Sequence, residues 1–464
     1  FTQVASFYGI ASYGFLDRYI LNFNIRSDGS NKFGSNPKYR WLPTYSFAVK
    51  WNIDQEPFMR SQTWIDNLAL RASYGIQGNI SETSSPYLVL QVGDRDNVLS
   101  LPTSKFYRYP NPDLRWEKTH SWNVALDFSF FKGRVRGGFD VYSKKTKDLI
   151  INKTLAASSG TTSMAYNAGK MNNRGFEGFV NVGIIKEKDW EWRAGINFGR
   201  NVNEIIFANN EDLTNNEVQQ AMLSGNMAIE GAPIGSLYAY HFAGVNQEIG
   251  LPMHYTKDGK ESLHGALLDM ELVRTGSIFP KLAGGFDTQL IYKNWSLGLN
   301  FAYNIGAVNR LPSYYTSGQY NADPQSNVSR EWLNCWKKTG DNTSFPGVYD
   351  YKISNNYLAS EEGSVYDTYD DTIGGTVIYP YQMYNQSDIR VASTDFLKLK
   401  MVSLSYNVPK RLITPLHVSS LRLRLQATNL LTFCNSDWHG LDPETAGVGI
   451  PQLPSYSLSV NVSF

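Results

Sequence analysis

Apolar and polar residues alternate along this chain with a period of two. From Ser455 to Phe464 the even positions are Tyr456, Leu458, Val460, Val462 and Phe464, and the odd positions are Ser455, Ser457, Ser459, Asn461 and Ser463. Successive side chains of a strand point to opposite faces, so this segment predicts a strand with one apolar and one polar face. Val124, Leu126, Phe128 and Phe130 repeat the pattern, as do Trp295, Leu297, Leu299, Phe301 and Tyr303, and Tyr19, Leu21, Phe23 and Ile25. In a soluble sandwich the apolar face would meet a second apolar face. In a transmembrane barrel it meets lipid, while the polar face lines the lumen. The run Leu421 to Gln426 puts Arg422 and Arg424 on its polar side, which suits a wet or plugged interior. An amphipathic last strand closed by an aromatic residue is also how outer-membrane barrels end, making Phe464 the candidate barrel-insertion signal.

The pattern predicts about 14–15 strands, near residues 4–14, 17–27, 40–52, 63–77, 86–92, 118–131, 134–151, 168–185, 189–203, 235–246, 281–293, 295–307, 394–407, 418–430 and 454–464. Connections alternate in length. Phe15–Asp17, Phe131–Gly133, Lys186–Lys188 and Lys293–Asn294 are short, whereas 28–38, 93–117, 152–167, 204–234, 308–393 and 431–453 are long. Short periplasmic turns and long outside loops are the asymmetry of outer-membrane barrels. Between Leu397 and Tyr406 the apolar set changes parity at Met401–Val402, which predicts a β-bulge. No linker or low-complexity tract interrupts the chain, so 1–464 reads as one domain. It opens at Phe1 directly into a strand-like stretch, and an upstream portion is expected.

Composition refines this picture. No stretch approaches the roughly 20 apolar residues of a spanning helix. Aromatic residues make up 14% of the 464, with 29 Tyr and 11 Trp, and many fall at strand ends where interfacial girdles form. The 43 basic and 42 acidic side chains leave a net charge of +1, which gives no electrostatic case for nucleic acid. Cys335 and Cys434 lack metal-type or CxxC spacing; a disulfide is conceivable in an oxidising compartment, and unpaired thiols are the expectation.

Several stretches resemble the SusC-type TonB-dependent transporters of Bacteroidetes. These are residues 111–150 (NPDLRWEKTHSWNVALDFSFFKGRVRGGFDVYSKKTKDLI), 167–205 (NAGKMNNRGFEGFVNVGIIKEKDWEWRAGINFGRNVNEI), 23–34, 70–79 and 421–444. The resemblance implies an all-β fold, the carboxy-terminal part of a transmembrane antiparallel barrel of about 22 strands plugged from within. It implies a SusD-like surface lipoprotein as a lid, import of oligosaccharides or peptides, and energy supplied through TonB. The plug, the TonB-contacting region and the early strands of that family have no counterpart here. Because open sheet edges are not tolerated in lipid, a missing amino-terminal segment is expected to complete the wall.

The loop 308–393 carries Tyr314, Tyr315, Tyr320, Trp332, Trp336, Tyr349, Tyr351 and Tyr357. Aromatic faces stack on sugar rings and bury peptide side chains, and Trp and Tyr dominate interfaces. Tyr314, Tyr315, Tyr320, Trp332 and Trp336, with Trp438 and His439 before the last strand, are therefore the candidate substrate or lid contacts; packing within their own loop is the alternative. The acidic group Glu361, Glu362, Asp367, Asp370 and Asp371 could hold Ca2+ but lacks the regular loop spacing, so no cofactor is expected. No catalytic constellation is present: GxSxG and GxxxxGK[ST] are missing and the six histidines are scattered. The reading is a non-enzymatic outer-membrane importer. A passive porin-like or structural barrel is the alternative, and a soluble β-rich binding module is a third class.

Overall fold

A computed structural model describes residues 3–33, 37–79, 87–95, 101–108, 110–154, 163–208, 215–263, 265–266, 270–314, 330–347, 377–378, 380–445 and 452–464. Its main body is a 13-stranded sheet in strict sequence order. The strands are β1 (Val4–Phe15), β2 (Tyr19–Ser30), β3 (Trp41–Asn52), β4 (Ile65–Asn79), β5 (Glu117–Phe130), β6 (Val135–Thr154), β7 (Ser163–Lys186), β8 (Trp190–Phe207), β9 (Leu282–Tyr292), β10 (Trp295–Ile305), β11 (Phe396–Asn407), β12 (Ser420–Cys434) and β13 (Ser455–Ser463). Every neighbouring pair is antiparallel. Among the described residues β1 and β13 each pair on one side only and not with each other.

The two faces differ as the alternation predicts. One register row reads Leu458, Leu425, Leu404, Leu297, Leu290, Trp192 across six strands. The next row towards the short turns reads Val460, Leu423, Tyr406, Trp295, Tyr292, Trp190. Its rings contact in pairs, with centroids 4.6 Å apart for Trp295–Tyr406 and 4.3 Å for Trp190–Tyr292. Among the described residues this face stays open: Leu458 is 72% exposed and Leu425 54%. An apolar band closed by an aromatic row is the outer surface of a membrane barrel. On the other face a row reads Asn24, Ser46, Gly75, Ser121, Lys144, Asn173, Asn203. There Arg71 grips Asp127 with bonds of 2.6 and 3.0 Å, above the buried Ala69 and Ala125.

Close strand contact depends on glycine at particular points. A Cβ at Gly284 would lie 2.1 Å from the Asn197 carbonyl oxygen and 2.6 Å from the Tyr303 hydroxyl. At the short-turn end, Leu16 and Asp17 adopt φ of 53° and 55°, the left-handed pair that matches hairpin twist. At the other end β6 and β7 run to 20 and 24 residues, whereas crossing lipid takes about 9–11. The excess stands above the membrane. The blocks 111–150 and 167–205 are clasped together there: Asn167 donates to the carbonyls of Arg115 (2.6 Å) and Asp148 (2.7 Å), and Arg115 pairs with Asp148 at 2.7 Å.

Two expected wall strands are elsewhere. Residues 86–92 fall largely in a separate hairpin, Val89–Arg95 against Pro102–Arg108. Residues 235–246 divide between Ser236–Tyr240, paired with Leu272–Ser277, and Phe242–Val245, paired with Pro252–Tyr255. The bulge sits one residue before the expected place: Lys400 drops out of register with both neighbours, opposite Asn429 at φ 55°. Cys335 and Cys434 are free thiols. No helix among the described residues is long and apolar enough to cross a membrane.

Candidate substrate-facing loop layer

The excursions 208–281 and 306–395, both leaving the long-loop end of the wall, fold against each other. Tyr240 forms a parallel bridge with Ser387, and its N–H donates to the Gln386 carbonyl at 3.1 Å. Arg310 donates through Nη2 to the carbonyls of Leu223 and Tyr238, each at 2.7 Å. Three apolar clusters fill the interior: Leu223, Tyr240, Met270 and Met383; Leu251, Tyr314, Tyr381 and Tyr384; and Leu311, Ala392 and Trp438. Burial pushes the hydroxyls of Tyr314 and Tyr384 above the usual tyrosine range. His254 is fully buried, edge-on to Tyr240 and Phe242, and burial drives its pKa down to about 3, so it is neutral.

The segment before the last strand is tied to the wall by charge. Lys398, on the lumenal face of β11, is buried and pairs with Asp442 at 2.7 Å and Glu444 at 2.6 Å, and Lys400 also reaches Glu444 at 2.7 Å. Burial pushes the Glu444 carboxyl up, but the hydrogen bonds from Lys398 and Lys400 prevail and hold it below the usual range.

A cavity of about 700 Å³ opens where these pieces meet. Arg390 is buried and donates to Glu331 at 3.1 Å and to the Pro312 carbonyl at 2.7 Å. Its guanidinium lies 5.8 Å from the Tyr314 ring centre. Glu331 also meets His439 Nε2 at 2.9 Å; the His439 side chain is 63% exposed, so it forms part of the rim. Leu333, 69% exposed, lines the same opening.

The expected contact residues therefore separate into groups. Tyr314, Trp438 and His439 converge on the cavity, but only His439 is exposed. Trp438 is fully buried and donates its indole N–H to the Ser393 carbonyl at 2.7 Å. Tyr314 is buried beneath Arg390. Trp438 thus packs inside the layer with Leu311 and Ala392. Trp332 is half-buried, 5.6 Å from the Tyr314 ring, with its N–H on the Tyr314 carbonyl at 3.1 Å. Trp336 is half-buried over Gly250, which has φ 69°. Tyr315, Tyr320, Tyr349, Tyr351, Tyr357 and the acidic group 361–371 lie outside the described residues. Sequence reasoning passed over Glu331, Arg390 and the Lys398–Asp442 pair. For the last there was a signal: a lysine at an inward strand position, facing a loop that contains Asp442-Pro443-Glu444.

Comparison with known proteins identifies this architecture. The family model "TonB dependent receptor-like, beta-barrel" matches residues 1–260. TonB-dependent receptor P3 of Formosa agariphila is 29% identical over 100% of this chain and 46% of its own length. TonB-dependent receptor SusC of Bacteroides thetaiotaomicron is 29% identical over 71% of this chain and 34% of its own. Among solved structures, that of the RagAB peptide transporter superposes with a TM-score of 0.79 at 25% identity, covering 100% of this chain and 48% of that one. The chain thus spans about half the length of P3 and of the transporter chain. The lipid-facing band, the lumenal polar rows and these likenesses agree: the chain belongs to the TonB-dependent receptor-like β-barrel family of the outer membrane, as a member of SusC type.

Proposed function

We propose that the protein containing this chain imports oligosaccharides or peptides across the outer membrane, powered through TonB and covered by a SusD-like surface lipoprotein. The observation that carries the reading is the likeness, over the whole chain, to a protein described as a peptide transporter. The loop layer supports it. It is a packed body with its own apolar clusters and an open cavity on its surface, which suits a surface that a lid meets. A passive pore would have little use for such a body. His439, Leu333, Trp332 and Trp336 are the residues through which substrate or lid contact is proposed, and Tyr315 and Tyr320 stay in the proposal from sequence alone. The alternating burial along 330–347 leaves one side of the Arg330–Asn334 turn open.

The test uses the full-length protein in its native host. Trp332→Ala with Trp336→Ala should weaken co-purification of the lipoprotein or uptake of substrate while the barrel still migrates as a folded species on unheated gels. Wild-type behaviour in both assays would mean that these tryptophans only pack their own loop.

A further inference from the structure

The outer face of β4–β7 changes character along its strands. On β5, Leu126, Val124 and Trp122 face outward in succession and are exposed, with Phe139 and Val141 of β6 opposite the first two. Tyr74 of β4 stands opposite Trp122, so two exposed aromatic rings end the apolar band towards the long loops. Beyond them, at the same parity, come His120 and Lys118 on β5 and Lys145 and Lys147 on β6. Arg174 of β7 lies opposite Ser143, the outward residue next to Lys145. The β5–β6 register runs unbroken from Phe130 to Lys118, and the β6–β7 register from Val135 to Thr146. With no slip, the cations share the face of the apolar band. Lys144, between Ser143 and Lys145, belongs to the lumenal row.

This arrangement is unfavourable as it stands. Lys118 is directly opposite Lys147, and like charges placed so on neighbouring strands destabilise a sheet. Lys145, Lys147 and Arg174 are exposed and Lys118 is half-buried. Among the described residues none of the four forms an ion pair. Glu204 shares the face, across Asn172 from Lys145, and pairs with none of them. His120 is tied to the aromatic end of the band, with Nδ1 at 2.9 Å from the Tyr74 hydroxyl.

The height of the cluster indicates what it meets. Counted from the short-turn end of its own strand, Lys118 is twelve residues from Phe130, Lys145 ten from Val135 and Arg174 twelve from Lys186. At about 3.3 Å per residue and a tilt of about 40°, they stand roughly 25–30 Å above those ends, just past an apolar band about 25 Å tall. That is the level of the outer-leaflet headgroups. The cations point away from the lumen, whose mouth a lid would cover, and towards lipid. The anions found at that level and on that side are headgroup phosphates.

We propose that Lys118, Lys145, Lys147 and Arg174 form a docking surface for the phosphate-bearing headgroup of an outer-leaflet lipid. The phosphate relieves the Lys118–Lys147 repulsion through charge-assisted hydrogen bonds, and the acyl chains lie along Trp122, Val124 and Val141.

Native mass spectrometry of the full-length protein in detergent tests this with three probes: phosphatidic acid, the uncharged diacylglycerol with the same chains, and inorganic phosphate. Phosphatidic acid should bind at least about tenfold more tightly than either of the others, because it alone uses both the cations and the apolar band. The triple variant Lys118→Gln, Lys145→Gln, Lys147→Gln should lose that preference, and the charge-conserving Lys118→Arg, Lys145→Arg, Lys147→Arg should keep it. Lys144→Gln, on the lumenal face, should leave it unchanged. Should the triple variant fail to fold, Lys145→Gln alone is expected to weaken phosphatidic acid by about threefold. Equal binding of phosphatidic acid and diacylglycerol, inorganic phosphate binding as tightly as the lipid, or a preference that survives neutralisation would each overturn the proposal. So would a triple variant that keeps its lipid preference and loses the surface lipoprotein, which would give these cations to the lid.

Discussion

Replacing Lys398 by Ala should release the segment before the last strand. The Lys398 side chain is 1% exposed and that of Asp442 8%, so deleting the lysine leaves a carboxylate buried without its partner. Breaking a buried pair in this way costs about 3–5 kcal/mol. Glu444 is 37% exposed, so its share is screened by solvent and stays at about 1 kcal/mol or less. At 1.4 kcal/mol per factor of ten, the lower figure makes local opening roughly a hundredfold easier. Hydrogen exchange in the full-length protein reads this at the Leu441 N–H, which is bonded to the Trp438 carbonyl at 2.8 Å. Protection there should fall by about that factor in Lys398→Ala, and no more than about fivefold in Lys400→Ala, which touches only Glu444. The double variant Lys398→Met, Asp442→Leu should recover most of the loss, because an apolar pair replaces a buried ionic one at little cost. A smaller effect for Lys398→Ala than for Lys400→Ala, or a double variant as loose as the single one, would refute the reasoning.

The same segment should respond to acid. Glu444 has a folded pKa below its ordinary value of 4.5, so its contribution is complete above that value and is lost as pH falls through the lower folded one; Glu444→Gln should remove this part of the acid sensitivity in limited proteolysis between pH 7 and pH 3. Gly284→Ala places a methyl against the Asn197 carbonyl and should cost about 1–3 kcal/mol, seen as a smaller heat-modifiable fraction on gels, while Gly14→Ala, with nothing within 4 Å, should be neutral. Leu458→Arg faces lipid and should cost about 2–4 kcal/mol of insertion. Ser459→Arg on the lumenal face should insert normally; equal failure of both would contradict the assignment of faces.

The wall was legible in the sequence because its signal is local. A period of two over ten residues specifies both a strand and its faces, and the register rows through Leu458 and Trp295 follow from it. The loop layer was not legible, because its interior joins positions far apart in the chain. Tyr240 meets Met383, and Arg310 meets the Leu223 and Tyr238 carbonyls, and no local pattern encodes such contacts. The apolar stretch Ser236–Tyr240 has the composition of a wall strand but pairs with Leu272–Ser277. At Trp438 aromatic content left two readings open. A tryptophan in a loop can face outward or fill a core, and here the indole closes the space between Leu311 and Ala392. Within the blocks 111–150 and 167–205, the mutual hydrogen bonds of Arg115 and Asn167 give those two residues a structural role.

Energised uptake is the central claim, and uptake measured in cells is its most direct test. The full-length protein should be expressed in a host lacking its own copy and given labelled oligopeptides and oligosaccharides, with TonB intact or deleted. The account predicts saturable accumulation of at least one of these substrates that disappears when TonB is deleted. Accumulation at the same rate without TonB would mean a passive pore, and would contradict it.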